Sequence, residues 1–188
     1  MDEFRVWIGC LACYNAGRLV GQWYDASEAG EVTTSRVHGR DMTYWVKSHD
    51  GRGSILRRHE MHEELWCFDI EAPHESLARE MSPMEAAQIA EVLADAERRY
   101  IEVAPFLAWL DNQGYAVDGD HFSDFEDAYC GEWKDEEDYA YQLAEDLGAV
   151  PEGHSWPASY VDWQRAARDL FMDHTAIRSP GGIWVFRD

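Results

Sequence analysis

Between Ile101 and Ala149 the chain carries fourteen acidic residues and a single basic one, Lys134. This imbalance constrains the fold more than any other feature. Carboxylates at this density cannot share an interior, because a buried charge without a partner loses its hydration and regains little. The segment must either stay unfolded or turn its acids outward around an apolar stripe. Disorder goes with low hydrophobicity and few aromatics. Here aromatics alternate with the acids, and the 188-residue chain is 46% hydrophobic and 13% aromatic, with nine Trp. A folded scaffold with an acidic exterior is therefore expected.

The acids that define this surface are Asp118, Asp120, Asp124, Glu126, Asp127, Glu132, Asp135, Glu136, Glu137, Asp138, Glu145 and Asp146. Ser123-Asp124-Phe125-Glu126 has the form of a capping box, with Gly131 placed to close the short helix it starts. Lys134 to Leu147 reads as a second helix, with Ala140, Leu143, Ala144 and Leu147 on its inner face and Gly148 as the stop.

The whole chain has a formal net charge of −21. Met1–Arg58 is nearly neutral at +1, His59–Tyr100 stands at −8, Ile101–Ala149 at −13 and Val150–Asp188 at −1. Direct nucleic-acid binding is excluded as a main activity, since phosphates need Lys and Arg to displace their counterions. An anionic membrane surface repels such a chain, and no run of 18 apolar residues predicts a membrane span. Met1-Asp2-Glu3 lacks the start of a signal peptide, and four Cys are too few for a disulfide framework. Both point to the reducing cytoplasm.

Elsewhere the texture changes twice. Phe4–Ile8, Gly21–Tyr24, Met42–Val46 and Leu65–Ile70 read as strands, with turns at Asn15-Ala16-Gly17 and a loop at Asp50–Ser54. Ser82-Pro83-Met84-Glu85 is a capping box that starts a helix with Ala86, Ile89, Ala90, Leu93 and Ala94 inward. Pro105 interrupts it, and Phe106–Leu110 forms a further helix ended by Gly114. Tyr160–Phe171 reads as a helix with Tyr160, Trp163, Ala167, Leu170 and Phe171 as its core face, and Ile183–Phe186 as a terminal strand. The expected architecture is α+β: an elongated chain of three small domains, β-rich over 1–71, helical over 72–114, and acidic α/β over 115–188.

Catalytic patterns are weak. Cys10-Leu11-Ala12-Cys13 lacks a second pair for zinc, and it leads into a turn rather than standing at a helix start as a redox motif would. In His59-Glu60-Met61-His62-Glu63 the histidines are at i and i+3, not the i and i+4 of a zincin helix. Asp118-Gly119-Asp120-His121-Phe122 fails the calcium-loop pattern at Phe122 and Ser123. No nucleophile elbow, phosphate loop or dinucleotide fingerprint is present. The expectation is a non-enzyme without cofactor or metal. A competing reading makes it a metal-dependent enzyme using Cys10, Cys13, His59 and His62.

The acidic surface suggests its own target. B-DNA carries one charge per ~1.7 Å of axis, so 21 charges match roughly 36 Å of duplex. A rigid array of carboxylates at that density fits a basic DNA-binding groove, with fast, salt-sensitive association.

At this point the sequence resembles the ArdA antirestriction proteins. Val6-Trp7-Ile8-Gly9-Cys10-Leu11-Ala12-Cys13 followed by Tyr14-Asn15-Ala16-Gly17-Arg18-Leu19-Val20-Gly21-Gln22-Trp23 is similar to the family's first strand and its Y-N-x-G-x-L-x-G-x-W turn and strand. Phe125-Glu126-Asp127-Ala128-Tyr129-Cys130-Gly131-Glu132 resembles the family's acidic antirestriction region. Tyr160-Val161-Asp162-Trp163, Ala167-Arg168-Asp169-Leu170 and Val185-Phe186 are similar as well.

The resemblance implies a non-enzymatic inhibitor: an elongated three-domain α/β homodimer, carried by mobile genetic elements, that imitates bent B-form DNA. Its partner would be a type I restriction–modification enzyme, at the methyltransferase core with its specificity subunit. A dimer would present a charge of −42, comparable to about 21 base pairs. The alternative is an acidic interaction module for another basic DNA-binding protein, such as a transcription regulator. One stretch departs from the family. His49–Arg58 is basic, with Arg52, Arg57 and Arg58, and reads as a variable surface loop or as a determinant of which enzymes are inhibited. Tyr14, Asn15, Gly17, Gly21 and Trp23 are expected to be structural, with Gly17 at positive φ.

Overall fold

Strand β1 (Arg5–Cys10) organises the N-terminal half of the molecule because its side chains alternate between two faces. Val6, Ile8 and Cys10 are fully buried on one face, while Trp7 lies on the other. The computed structural model describes residues 4–40, 43–47, 54–58, 62–150, 156 and 158–188, with 43–47 and 54–58 described by backbone pairing alone. Contacts divide the chain into two compact units: residues 1–104 with 117–119, and residues 105–116 with 120–188.

In the first unit, β1 runs into a short helix α1 (Leu11–Asn15). The turn after α1 places Gly17 at φ +72°, as expected, and the chain returns as β2 (Gly21–Asp25), antiparallel to β1. A 3₁₀ turn over Ala26–Glu31 follows, capped by Asp25. Helix α2 (Thr34–His38) is capped by Thr33 and ended by Gly39 in the left-handed region. Strands β3 (Thr43–Lys47) and β4 (Ser54–Arg58) form an antiparallel hairpin. Thus the basic stretch expected to be a loop is a strand from Ser54 onward, and Arg57 and Arg58 lie in that strand. Arg52 and His59 fall outside the described residues.

Strand β5 (Leu65–Glu71) pairs antiparallel with the free edge of β1, completing a sheet of order β2-β1-β5 with a register shift between Trp7 and Ile8. Helix α3 (Pro83–Arg98) starts as its capping box predicts, with the Glu85 N–H donating to Ser82 Oγ at 3.1 Å. It packs on the 3₁₀ turn and on β5. Ala86, Ile89, Leu93 and Ala96 are buried, whereas Ala90 and Ala94 sit at the margin of the face.

The second unit opens within α4 (Val103–Gln113). Pro105 does not interrupt a helix; it sits in the first turn of this one, where its missing N–H costs nothing. Residues Pro105–Leu110 are all buried, so the helix is apolar on every side and forms the core. Phe106 meets Phe122 and Phe125 at ring distances of 5.1 and 5.4 Å. Gly114 ends α4 at φ +72°. Then come α5 (Phe122–Ala128), β6 (Tyr129–Trp133), α6 (Glu136–Asp146), α7 (Trp163–Leu170), β7 (His174–Arg178) and β8 (Ile183–Arg187). The sheet is antiparallel with order β6-β8-β7. Trp184, Val185 and Phe186 are buried in succession, which requires cover on both faces of the central strand.

The architecture is mixed helix and antiparallel sheet, in agreement with α+β. The segment expected as a separate helical lobe, 72–114, is shared: α3 belongs with the N-terminal sheet and the chain from Pro105 with the second unit.

Candidate functional site: the acidic surface

The second unit supports the acids on short, well-anchored elements. Asp120 lies in a 3₁₀ turn over Gly119–His121. Asp124, Glu126 and Asp127 are on α5 and exposed, while Phe122 and Phe125 point inward to the α4 aromatics. The expected capping box at Ser123 is not formed. The helix starts two residues earlier, at Phe122, with His121 at its cap and no side-chain cap hydrogen bond. Burial of Phe122 overrides the local capping preference. Gly131 does not close α5 either. It lies within β6 at φ +99°, where the strand shifts register against β8.

Helix α6 carries half of the surface. Asp135 is its N-cap and accepts from the Asp138 N–H at 2.9 Å. Glu136, Glu137 and Asp138 fill the first turn, where the helix dipole favours negative charge. Glu145 and Asp146 occupy the last turn, where it opposes them, and no basic residue is present there. The Tyr141 hydroxyl donates to Glu145, and the Gln142 side-chain amide donates to Asp146 at 2.9 Å. The inner face follows the predicted Ala140, Leu143, Ala144, Leu147 stripe only in part. Tyr139, Ala140 and Tyr141 are buried, Leu143 and Ala144 are half-buried, and Leu147 is 74% exposed beyond the helix end. The two tyrosines rotate the helix: Tyr141 meets Trp163 of α7 edge-on at 5.0 Å, and Tyr139 packs on Phe171 and His174.

Glu132, on β6, is an exposed acid with a structural bond. Its carboxylate accepts from the Gly181 N–H at 2.9 Å, tying β6 to the turn before β8. The Ser179 hydroxyl beside it and this N–H hold the Glu132 carboxyl below the usual range. Lys134 is 3.6 Å from Asp135 and so is spent on a neighbouring acid.

Nine of the twelve predicted acids are exposed, and Asp118, Asp135 and Glu145 are half-buried. Eleven belong to the second unit, whereas Asp118 groups with the first. Five further acids, Asp111, Asp162, Asp169, Asp173 and Asp188, are exposed in the same unit. The last four stand among four exposed arginines, Arg165, Arg168, Arg178 and Arg187, so net charge does not single them out. Asp188 also joins Asp124, Asp127 and Arg187 around an open hollow of about 670 Å³ floored by Trp109 and Tyr115. Most of these carboxylates are exposed to solvent, and chemically such a display can do one thing well: meet cations.

The model of the antirestriction protein (ArdA) family matches residues 6–184. The chain belongs to the ArdA antirestriction family. No curated protein matches it significantly. The match covers both units, so the acidic elements and the β1–β2 signature of this ArdA chain belong to one family pattern. The expected structural role of that signature has a visible basis. The Trp7 indole lies across Gly9 and Gly21, and Tyr14 stacks on Phe68 at 4.1 Å. Antirestriction is an inhibitory activity, and no helix among the described residues is long and apolar enough to cross a membrane.

Proposed function

We propose that this ArdA chain blocks type I restriction–modification enzymes by occupying the DNA-binding groove of the methyltransferase core and its specificity subunit. It acts in the cytoplasm as a homodimer whose acids stand in for the phosphates of about 21 base pairs. It binds protein rather than nucleic acid, and it inhibits by competition without turnover. The observation that carries this reading is the second unit's display of exposed carboxylates on α5, β6 and the Asp135-capped helix α6, with Lys134 lying 3.6 Å from Asp135. Such an array presents charge at fixed positions, as a duplex does, and needs little ordering on binding.

The test is competition between this protein and labelled target DNA for a type I methyltransferase core at two salt concentrations. Displacement that weakens steeply with salt supports the proposal. No displacement at low salt by a folded dimer rejects that enzyme as the target and leaves another basic DNA-binding protein as the partner.

A further inference from the structure

The first unit assembles four metal-ligating side chains that are scattered in the sequence. Cys10 closes β1 and stands at the N-cap of α1, with Cys13 one turn on. The C-x-x-C therefore does open a helix, the short α1 that precedes the expected turn at Gly17, and its two thiols lie on one side of the β1–α1 corner. His38 is the last residue of α2, where Gly39 reverses the chain. His62 precedes β5, and the pairing of that segment with β1 delivers it to Cys10: Cys10 stands opposite Leu65, and the Leu11 N–H donates to the Glu64 carbonyl at 3.0 Å.

The result is compact. One ligand atom from each of Cys10, Cys13, His38 and His62 lies within 4.8 Å of all the others. His62 Nδ1 is 3.2 Å from Cys10 Sγ and 3.5 Å from Cys13 Sγ. The His38 and His62 rings meet edge-on with centroids 5.1 Å apart. A tetrahedral zinc ion with Zn–S of about 2.3 Å and Zn–N of about 2.0 Å separates its ligand atoms by roughly 3.3–3.8 Å. The observed spacing needs only small side-chain adjustments to meet that figure. Both cysteines are buried, at 1% and 3% exposure, and both histidines are half-buried.

We propose that Cys10, Cys13, His38 and His62 bind one structural zinc ion. The donor set decides the metal class: two thiolates and two imidazoles in a tetrahedron suit zinc and exclude calcium or magnesium, which take oxygen. Four protein ligands close the coordination shell, which is the pattern of a structural rather than a catalytic site. The ion clamps the β1–α1 corner to the end of α2 and to the lead into β5, three segments far apart in sequence. This proposal is independent of the inhibitory mechanism, and it does not revive a metal-dependent enzyme.

The experiment uses the untagged full chain, purified without chelator and under reducing conditions, with elemental analysis. About one zinc per chain is expected, falling below about a tenth in Cys13→Ser and in His38→Asn. Because either variant can fail to fold, the wild-type chain is also stripped with a strong chelator and titrated with Co²⁺. Intense visible absorption bands and a near-ultraviolet thiolate-to-cobalt band at one equivalent identify a tetrahedral site with sulfur ligands. Stripping should lower Tm by about 5 °C or more, with recovery on adding Zn²⁺. Absence of zinc together with no tetrahedral cobalt signature overturns the proposal. So does purified protein holding a Cys10–Cys13 disulfide under reducing conditions, or stoichiometric iron in place of zinc.

Discussion

At the scale of single residues, packing rather than charge decides what can change. Gly21 is irreplaceable because Trp7 occupies the place of its side chain: a Cβ there would lie 2.5 Å from the indole and 2.6 Å from the Ile8 carbonyl oxygen. Gly21→Ala should lower stability by about 2–3 kcal/mol in a denaturant titration, since the indole and backbone both have to move. Gly17 differs, because its φ of +72° constrains the backbone while open space surrounds the position. Glu132 gives a pH signature. Its folded-state carboxyl titrates below the unfolded one, so its stabilising effect is complete above the ordinary carboxylate range and disappears as pH falls through the depressed value. The Tm gap between wild type and Glu132→Gln should be widest near neutral pH and close on acidification below about pH 4. Thermal melts across that range check the sign.

At the scale of elements, the strands β1, β2 and β5 and helix α3 were legible because pattern and cap agree: aromatic and β-branched alternation in the strands, and Ser82 with Pro83 and Glu85 at the helix start. The short elements were not. Helices α1 and α2 span five residues each, too few to show a period, and they are held by β1, β5 and the Thr33 cap. Capping signals failed where a large apolar side chain had a better use, as at Phe122. The twelve acids were legible as exterior residues, but not the division of labour among them, since Asp135, Glu132 and Glu145 look like the others until their partners are seen. The metal-ligating quartet was half visible. The C-x-x-C could be read, whereas His38 and His62 come to it through strand pairing that no local window contains. Helix α6 then separates stability from function. Asp146→Lys places a favourable charge at the helix C-terminus, in a turn with no basic residue, and should stabilise the fold by about 0.3–1 kcal/mol while weakening inhibition. Replacing Glu136, Glu137 and Asp138 together should reduce inhibition far more than any one of them. Competition titrations beside thermal melts measure both.

At the scale of the whole molecule, a net charge of −21 acts in opposite directions on fold and function. Self-repulsion weakens the folded state at low ionic strength, whereas attraction to the proposed basic groove would be strongest there. Raising salt from about 20 to about 300 mM should increase Tm and, over the same interval, reduce the affinity for the target by orders of magnitude. Parallel changes in the two quantities would contradict a binding surface built from the same charges that strain the fold.

The last turn of α6 draws these strands together in time rather than in energy. Glu145 and Asp146 load a helix end that its own backbone dipole already makes negative, and the chain leaves Leu147 exposed just beyond. Amide hydrogens there should exchange rapidly in the free protein and slow when a cationic surface settles over them. If the proposed target covers this turn, limited proteolysis should cut free copies there sooner than bound ones.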